Sequence, residues 1–224
     1  MILHGCQEVV IAIDGPAGSG KSSVAREVAR RLGFTYIDSG ATYRALGLLA
    51  LRRGWALDDA KDLERLAQTI DLRFTADRHR WLVGEEDITE SIRTPEISHA
   101  ASVVSTIAGV RQQMVALQRR LGGAGNVVMD GRDIGTVVFP NAEVKVFLSA
   151  SPEERARRRF AEKPDSPPRD EVLRQIRERD ARDSSREHAP LRPAPDAVII
   201  DSTSLSLEQV VDEIEALTRL RRPQ

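Results

Sequence analysis

Apolar positions follow two different periods along this 224-residue chain, and the switches between them mark its elements. Val9-Val10-Ile11-Ala12-Ile13 is an unbroken, mostly β-branched run, as expected of a strand buried on both faces. From Lys21 the apolar side chains recur at Val24, Val28 and Leu32, a helical period that stops at Gly33, a residue suited to the left-handed position after a helix. Phe34-Thr35-Tyr36-Ile37 predicts a second strand, and a Ser or Asp cap then opens a helix through about Arg53. A helix over 58–69 follows. Leu72 to Thr75 and Trp81 to Val83 alternate about the polar turn Asp77-Arg78-His79, which is hairpin grammar. Thr94-Pro95-Glu96 starts another helix with a cap and a proline at its first position, and a further helix carries Val110, Met114, Leu117 and Leu121 on one face. Val127 to Met129, Val144 to Leu148 and Ala197 to Ile200 predict three more strands, and Ser206 with Gln209 forms a capping-box pair before a last helix. The expected class is α/β: a five-stranded parallel sheet wrapped by helices, with a small antiparallel insertion near residues 70 to 93.

Composition narrows the setting. A formal net charge of −1 argues against a general binder of nucleic acid. Cys6 is the only cysteine, so neither an internal disulfide nor a cysteine metal cluster is expected, and a reducing, cytoplasmic setting fits. No run reaches the roughly 18 to 20 apolar residues of a membrane span, and Met1 to Glu8 lacks the basic-then-apolar plan of a signal peptide.

Between the first strand and helix lies Gly15-Pro16-Ala17-Gly18-Ser19-Gly20-Lys21-Ser22-Ser23, which contains the full phosphate-loop spacing in its required context. Its glycines permit backbone conformations that turn successive N–H groups toward phosphate oxygens, and the helix start adds its positive end. Lys21 is expected on the β- and γ-phosphates of ATP, with the Ser22 hydroxyl facing Mg2+. Asp130, directly after the strand at 127–129, is the candidate carboxylate for that ion. Asp14 and Asp38 also end strands, so the choice among the three stays open.

Polar groups at 38–44 end a strand beside the phosphate loop, where open α/β sheets bind ligands, and Arg44 comes one turn into the next helix. Ser102 and Arg111 carry no local mark and read as structural or solvated. Ser151-Pro152-Glu153-Glu154 starts a helix, and a break at 163–168 separates it from another. In that second helix the stripe of Val172 and Ile176 continues at helical spacing through Arg179, Asp183 and Arg186. Charges where the period calls for apolar residues predict a face overhanging a polar cleft, so residues 151–187 read as a lid closing over nucleotide.

Two considerations narrow the reaction. The only asparagines, Asn126 and Asn141, lie in no guanine-reading Asn-Lys-x-Asp setting, which removes a GTP switch. Kinases of neutral hydroxyls need a carboxylate base, whereas a phosphate monoester has its second pKa near 6 and needs charge neutralisation instead. Arg44, Arg132, Arg179 and Arg186 suit the second demand.

The chain resembles the bacterial cytidylate kinases from end to end. The likeness is carried by 13–22, by Asp38-Ser39-Gly40-Ala41-Thr42-Tyr43-Arg44, by Ile92-Arg93-Thr94, by 130–140 beginning Asp130-Gly131-Arg132-Asp133, by Glu178-Arg179-Asp180 and by Asp201-Ser202-Thr203. It implies one P-loop kinase domain over 1–224, with a monophosphate-binding insertion at 55–110, the lid, and monomeric transfer of the ATP γ-phosphoryl group to CMP or dCMP with Mg2+. Nucleic acid and membrane are not expected partners. By similarity, Ser102, Arg111 and Asp133 would surround cytosine, Arg44 and Arg132 would hold the acceptor phosphate near Ser39, and Arg179, Asp183 and Arg186 would reach sugar and phosphate from the lid. Catalysis would rest on Lys21, Arg132, Arg179 and Arg186. Thr42 departs from the bulky apolar residue more common there, Ser23 from a common threonine, and the break at 163–168 is short. A kinase of UMP or AMP, or a nucleotide-binding regulator without turnover, are the alternatives.

Overall fold

The computed structural model describes residues 8–77, 79–123, 125–162 and 167–221. Cys6, Arg78 of the predicted turn and residues 163–166 of the predicted break lie outside them. Five parallel strands form the main sheet: β1 (Val10–Asp14), β2 (Thr35–Asp38), β6 (Val127–Gly131), β7 (Val144–Ser149) and β8 (Val198–Asp201), in the spatial order β2-β6-β1-β7-β8. Asp14 pairs in register with Gly131, and Asp38 with Asp130, so the three strand-ending aspartates meet at one carboxyl edge of the sheet. There β1 has β6 on one side and β7 on the other, and the chain leaves toward opposite directions, the crevice where such sheets take ligands.

Alternation along β1 divides the core. Ile11 and Ile13 face one side, where α1 (Lys21–Leu32) and α8 (Leu207–Arg221) cover them with Val24, Val28, Val210 and Ile214. Ala12, Ile37 and Met129 face the other, against α2 (Gly40–Arg52). The α2 helix also packs on α3 (Ala60–Thr69), α4 (Pro95–Val104) and α5 (Ala108–Gly122) through Leu46, Leu63, Val104 and Met114. The capping expectations hold: the Thr94 side chain accepts from the Ile97 N–H, and Ser206 and Gln209 exchange hydrogen bonds of 3.2 and 2.9 Å.

The insertion is a three-stranded antiparallel sheet, β3 (Leu72–Thr75), β4 (Arg80–Val83) and β5 (Glu86–Asp87). Two residues long and without an apolar pattern, β5 is a strand that the predicted hairpin did not include. A second unforeseen element is the wide π-helical turn at Ile134–Val138, where Phe139 N–H reaches back to the Ile134 carbonyl. Its first two N–H groups are bound by the Asp14 carboxylate at 2.8 Å each, which explains why so irregular a turn is held. Finally, α6 (Pro152–Glu162) and α7 (Arg169–Ser185) pack on each other around Ala156, Val172 and Ile176, a small core of their own.

Candidate active site

Two cavities meet at the phosphate loop. The loop follows β1 with Gly15, Gly18 and Gly20 all at positive φ (149°, 79° and 90°), conformations that a β-carbon disfavours. At Gly15 space forbids one as well, since a Cβ would lie 2.1 Å from the Leu148 carbonyl oxygen. Lys21 is buried and donates to the Pro16 carbonyl at 2.6 Å, folding over the loop it belongs to. Burial, with the Arg132 charge next in weight, holds its ammonium well below the ordinary lysine value, a penalty that phosphate oxygens would relieve.

The first cavity, of about 510 Å3, runs from Gly18, Ser19, Gly20 and Ser23 to α6 and to the segment 202–210. Leu205, Leu207 and Val210 supply its apolar wall, and Arg157 and Arg158 add cations to Lys21 and Arg159. Arg158 is tied down by bonds to the Ser19 carbonyl (3.2 Å) and the Ser202 hydroxyl (3.0 Å). The second cavity, of about 170 Å3, contains Ser39, Arg44, Ser102, Arg111, Asp130, Arg132, Asp133, Arg179, Asp183 and Arg186. Gly18, Lys21, Ser22 and Arg159 line both. Of the predicted set only Gly15 and Pro16 line neither cavity; they shape the loop from behind.

Six arginines and Lys21 face four aspartates in the second cavity, and every one of those aspartates is engaged. Asp38 accepts from Arg44 at 2.6 Å; burial pushes its carboxyl up, but the charge and hydrogen bond of Arg44 outweigh that and hold it below the usual value. Asp133 pairs with Arg111, both deeply buried, and Asp183 accepts from Arg132 at 2.9 Å. Asp130 accepts from Ser22 Oγ and from Tyr36 Oη, each at 2.9 Å. The cations are less completely matched. Arg44 Nε, Arg179 Nε and Arg186 Nη2 are buried without a hydrogen-bond partner, although Arg179 Nε lies 4.0 Å from Asp183. Burial first, then the Arg132 charge, pulls Arg179 down to about 9. Unmatched buried donors of this kind call for an anion.

The same contacts reduce the three candidate metal carboxylates to one. Asp14 is spent on the π-helical turn and Asp38 on Arg44, so neither is available. Asp130 stands beside the Ser22 hydroxyl with no basic side chain on it; burial, then the charge of Asp38, raises its carboxyl to about 6. One hydroxyl and one carboxylate are hard oxygen donors, and Mg2+ takes few protein ligands when phosphate oxygens and waters complete its shell. The residues present therefore fit that ion.

Several residues here escaped sequence reasoning. Tyr36 of β2 donates its hydroxyl to Asp130, and nothing in the local pattern of that strand marks it. Arg182 of α7 donates to Ser102 Oγ at 2.9 Å, across eighty residues. Arg155, only 3% exposed, makes a bidentate pair with Asp180 and also donates to the carbonyls of Ala150 and Ala17, joining α6, α7 and the phosphate loop. Thr42 is fully buried but satisfied, donating to the Ser39 carbonyl and accepting from Gln118 at 2.9 Å, so its departure from an apolar residue has a local partner.

The model of the family described as cytidylate kinase matches residues 11–220 of this sequence. The chain belongs to the cytidylate kinase family. A cytidylate kinase of Solibacter usitatus is 50% identical over 220 residues, spanning 96% of this chain and 94% of its own. One from Carboxydothermus hydrogenoformans is 48% identical, covering 91% and 94%. Solved structures share the fold at much lower identity. A shikimate kinase from Bacteroides thetaiotaomicron has a TM-score of 0.51 at 17% identity over 94% of this chain and 98% of its own. A gluconokinase from Sinorhizobium meliloti has 0.50 at 18% over 96% and 94%. Among the described residues no helix is long and apolar enough to cross a membrane.

Proposed function

We propose that this member of the cytidylate kinase family transfers the γ-phosphoryl group of ATP to CMP or dCMP, giving the diphosphate. The observation that carries the reading is the engagement of all four aspartates in a cavity with seven cations. Three of them are held by Arg44, Arg111 and Arg132, and the fourth, Asp130, stands beside Ser22 where the ion would lie, so the reading takes an acceptor that needs no base: a phosphate monoester, already largely dianionic at neutral pH.

ATP would occupy the larger cavity, its base against Leu205 and Arg158 and its phosphates along the loop to Lys21. The acceptor would occupy the smaller one, with its phosphate on Arg44 and Arg132 near Ser39 and its base toward Ser102, Arg111 and Asp133. Cytosine suits that end: its amino group donates to a carboxylate, while its carbonyl and ring nitrogen accept from arginine. Arg179, Asp183 and Arg186 would reach the sugar and phosphate from the lid side. Because Lys21 and Ser22 border both cavities, the two phosphates would face one another across them, the arrangement in-line transfer needs. Lys21, Arg132, Arg179 and Arg186 would neutralise charge on the transferring group, and α6 and α7, acting as a lid, would exclude water. Ser22 and Asp130 would hold Mg2+, which when bound screens phosphate charge. Every residue this reading uses lies in one chain, so a monomer would suffice for the reaction.

The test is ADP production with Mg2+ and ATP against CMP, dCMP, UMP, AMP, GMP and no acceptor. Turnover confined to CMP and dCMP is expected. Preference for another monophosphate would overturn the roles of Ser102, Arg111 and Asp133, and acceptor-independent hydrolysis or silence would favour a regulator without turnover.

A further inference from the structure

A third cavity, of about 400 Å3, lies between α1 and β2 on one side and the three-stranded sheet on the other. None of the preceding assignments uses it, yet it shares Asp38 and Arg44 with the acceptor cavity. Its walls are aromatic. Phe74 and Trp81 stand with ring centroids 5.0 Å apart, His79 meets Phe74 edge-on at 6.2 Å, and Tyr36 faces in from β2. Its charge is basic. Arg26 lies over the Tyr36 ring at 5.5 Å, and Arg30, Arg93 and Arg44 complete the lining cations. Glu27 partners Arg30 and Glu90 lies 3.7 Å from Arg93, but neither glutamate lines the space, where among the described residues the one carboxylate is Asp38 on Arg44.

Phe74, half-buried and backed by the buried Trp81, offers aromatic surface to a planar group, and guanidinium groups at its edge can stack and neutralise an anion, which defines the ligand by chemistry. The volume is that of a small-molecule site. We propose that this cavity binds a nucleoside phosphate, its base among Phe74, Trp81 and Tyr36 and its phosphate on Arg26 and Arg93, separately from both reactants. Arg44 transmits occupancy. Its buried Nε has no hydrogen-bond partner and its Nη2 is held by Asp38, so an anion on this side competes for the guanidinium that faces the acceptor. The kinetic consequence rests on the acceptor role proposed for Arg44, whereas the binding does not.

Trp55 and Trp81 are the two tryptophans, so Trp55→Phe leaves Trp81 as the sole reporter in the cavity wall. Its emission is titrated with UTP and GTP, with and without saturating CMP and a non-hydrolysable ATP analogue, and with uridine and inorganic triphosphate as half-ligands. A saturable change is expected with a nucleotide, persisting when the reactant sites are full, and absent with either half-ligand. Arg26→Ala and Phe74→Leu should each weaken it about tenfold, the loss of one charge-assisted or stacking contact, with basal turnover unchanged in Arg26→Ala. The KM for CMP should rise at least threefold at saturating nucleotide. A change that disappears when the reactant sites are filled, that neither variant weakens, or that is never seen overturns the site. Binding without any rise in KM overturns the coupling through Arg44. Because the titration is also read without reactants, failure of the CMP reading leaves the binding test standing.

Discussion

Cutting the Arg155–Asp180 pair should unfasten α7 from the phosphate loop. The side chain of Arg155 is 4% exposed and that of Asp180 23%, with bonds of 3.0 and 2.7 Å between them. Asp180→Ala leaves a guanidinium buried on two carbonyls, those of Ala150 and Ala17. Stranding one partner of a buried pair costs about 3–5 kcal/mol, and the partial exposure of Asp180 lowers the expectation to about 2–4 kcal/mol. Arg155→Ala strands an aspartate that can reach water, but it also forfeits both carbonyl bonds, so a loss of similar size is expected. The double variant should then cost well under the sum, with a coupling of about 2 kcal/mol, because neither charge is left behind. Urea unfolding of the four proteins measures this. Turnover should fall at least tenfold in each single variant with fold retained, since α7 carries Arg179 and Asp183 into the cavity. Additive losses, with coupling under about 0.5 kcal/mol, would mean the pair behaves like an exposed one and that the strut does not exist.

Lys21→Met should lower kcat by about a hundredfold or more with the melting midpoint little changed, removing a charge that acts on the transferring group; near-normal turnover would refute the phosphate-loop assignment. Asp133→Ala should raise the KM for CMP at least tenfold while the KM for ATP stays within about twofold, and equal shifts would refute base reading. Asp130 is raised to about 6, so its carboxylate is lost as pH falls through that value, and Mg2+ must then displace a proton. Apparent Mg2+ affinity, measured by titration with ADP, should weaken about tenfold per pH unit below 6, and Asp130→Asn should abolish the part of this slope that the nucleotide does not supply. Gly15→Ala should cost more than about 2 kcal/mol in urea unfolding, because the new Cβ would sit 2.1 Å from a backbone oxygen that no rotamer change can move.

Local grammar was sufficient for most of the architecture. The five strand positions, the helix starts at Pro95 and Ser206, and the phosphate loop each depend on residues adjacent in sequence, and the structure reproduces them within a residue or two. The charged stripe on α7 was readable for the same reason, since helical geometry alone puts Asp183 on the buried face with Val172 and Ile176. The π-helical turn was not, because its support comes from Asp14, 120 residues away.

What the sequence by itself determined is therefore the inventory: a phosphate loop, an α/β order of elements, and arginines in excess where a cleft should be. Only the tertiary structure decided which groups are already spent. Asp14, Asp38 and Asp130 look alike as strand-ending aspartates, yet one binds a turn, one binds Arg44 and one is left beside Ser22. Ser102 and Arg111 looked like ordinary helix residues until the packing of α4 on α2, and of α5 on α3 and the π-helical turn, brought both to the cavity and Arg111 onto Asp133. The physical reason is that propensity and periodicity act over a few residues, whereas the free energy of a buried charge depends on what surrounds it in space.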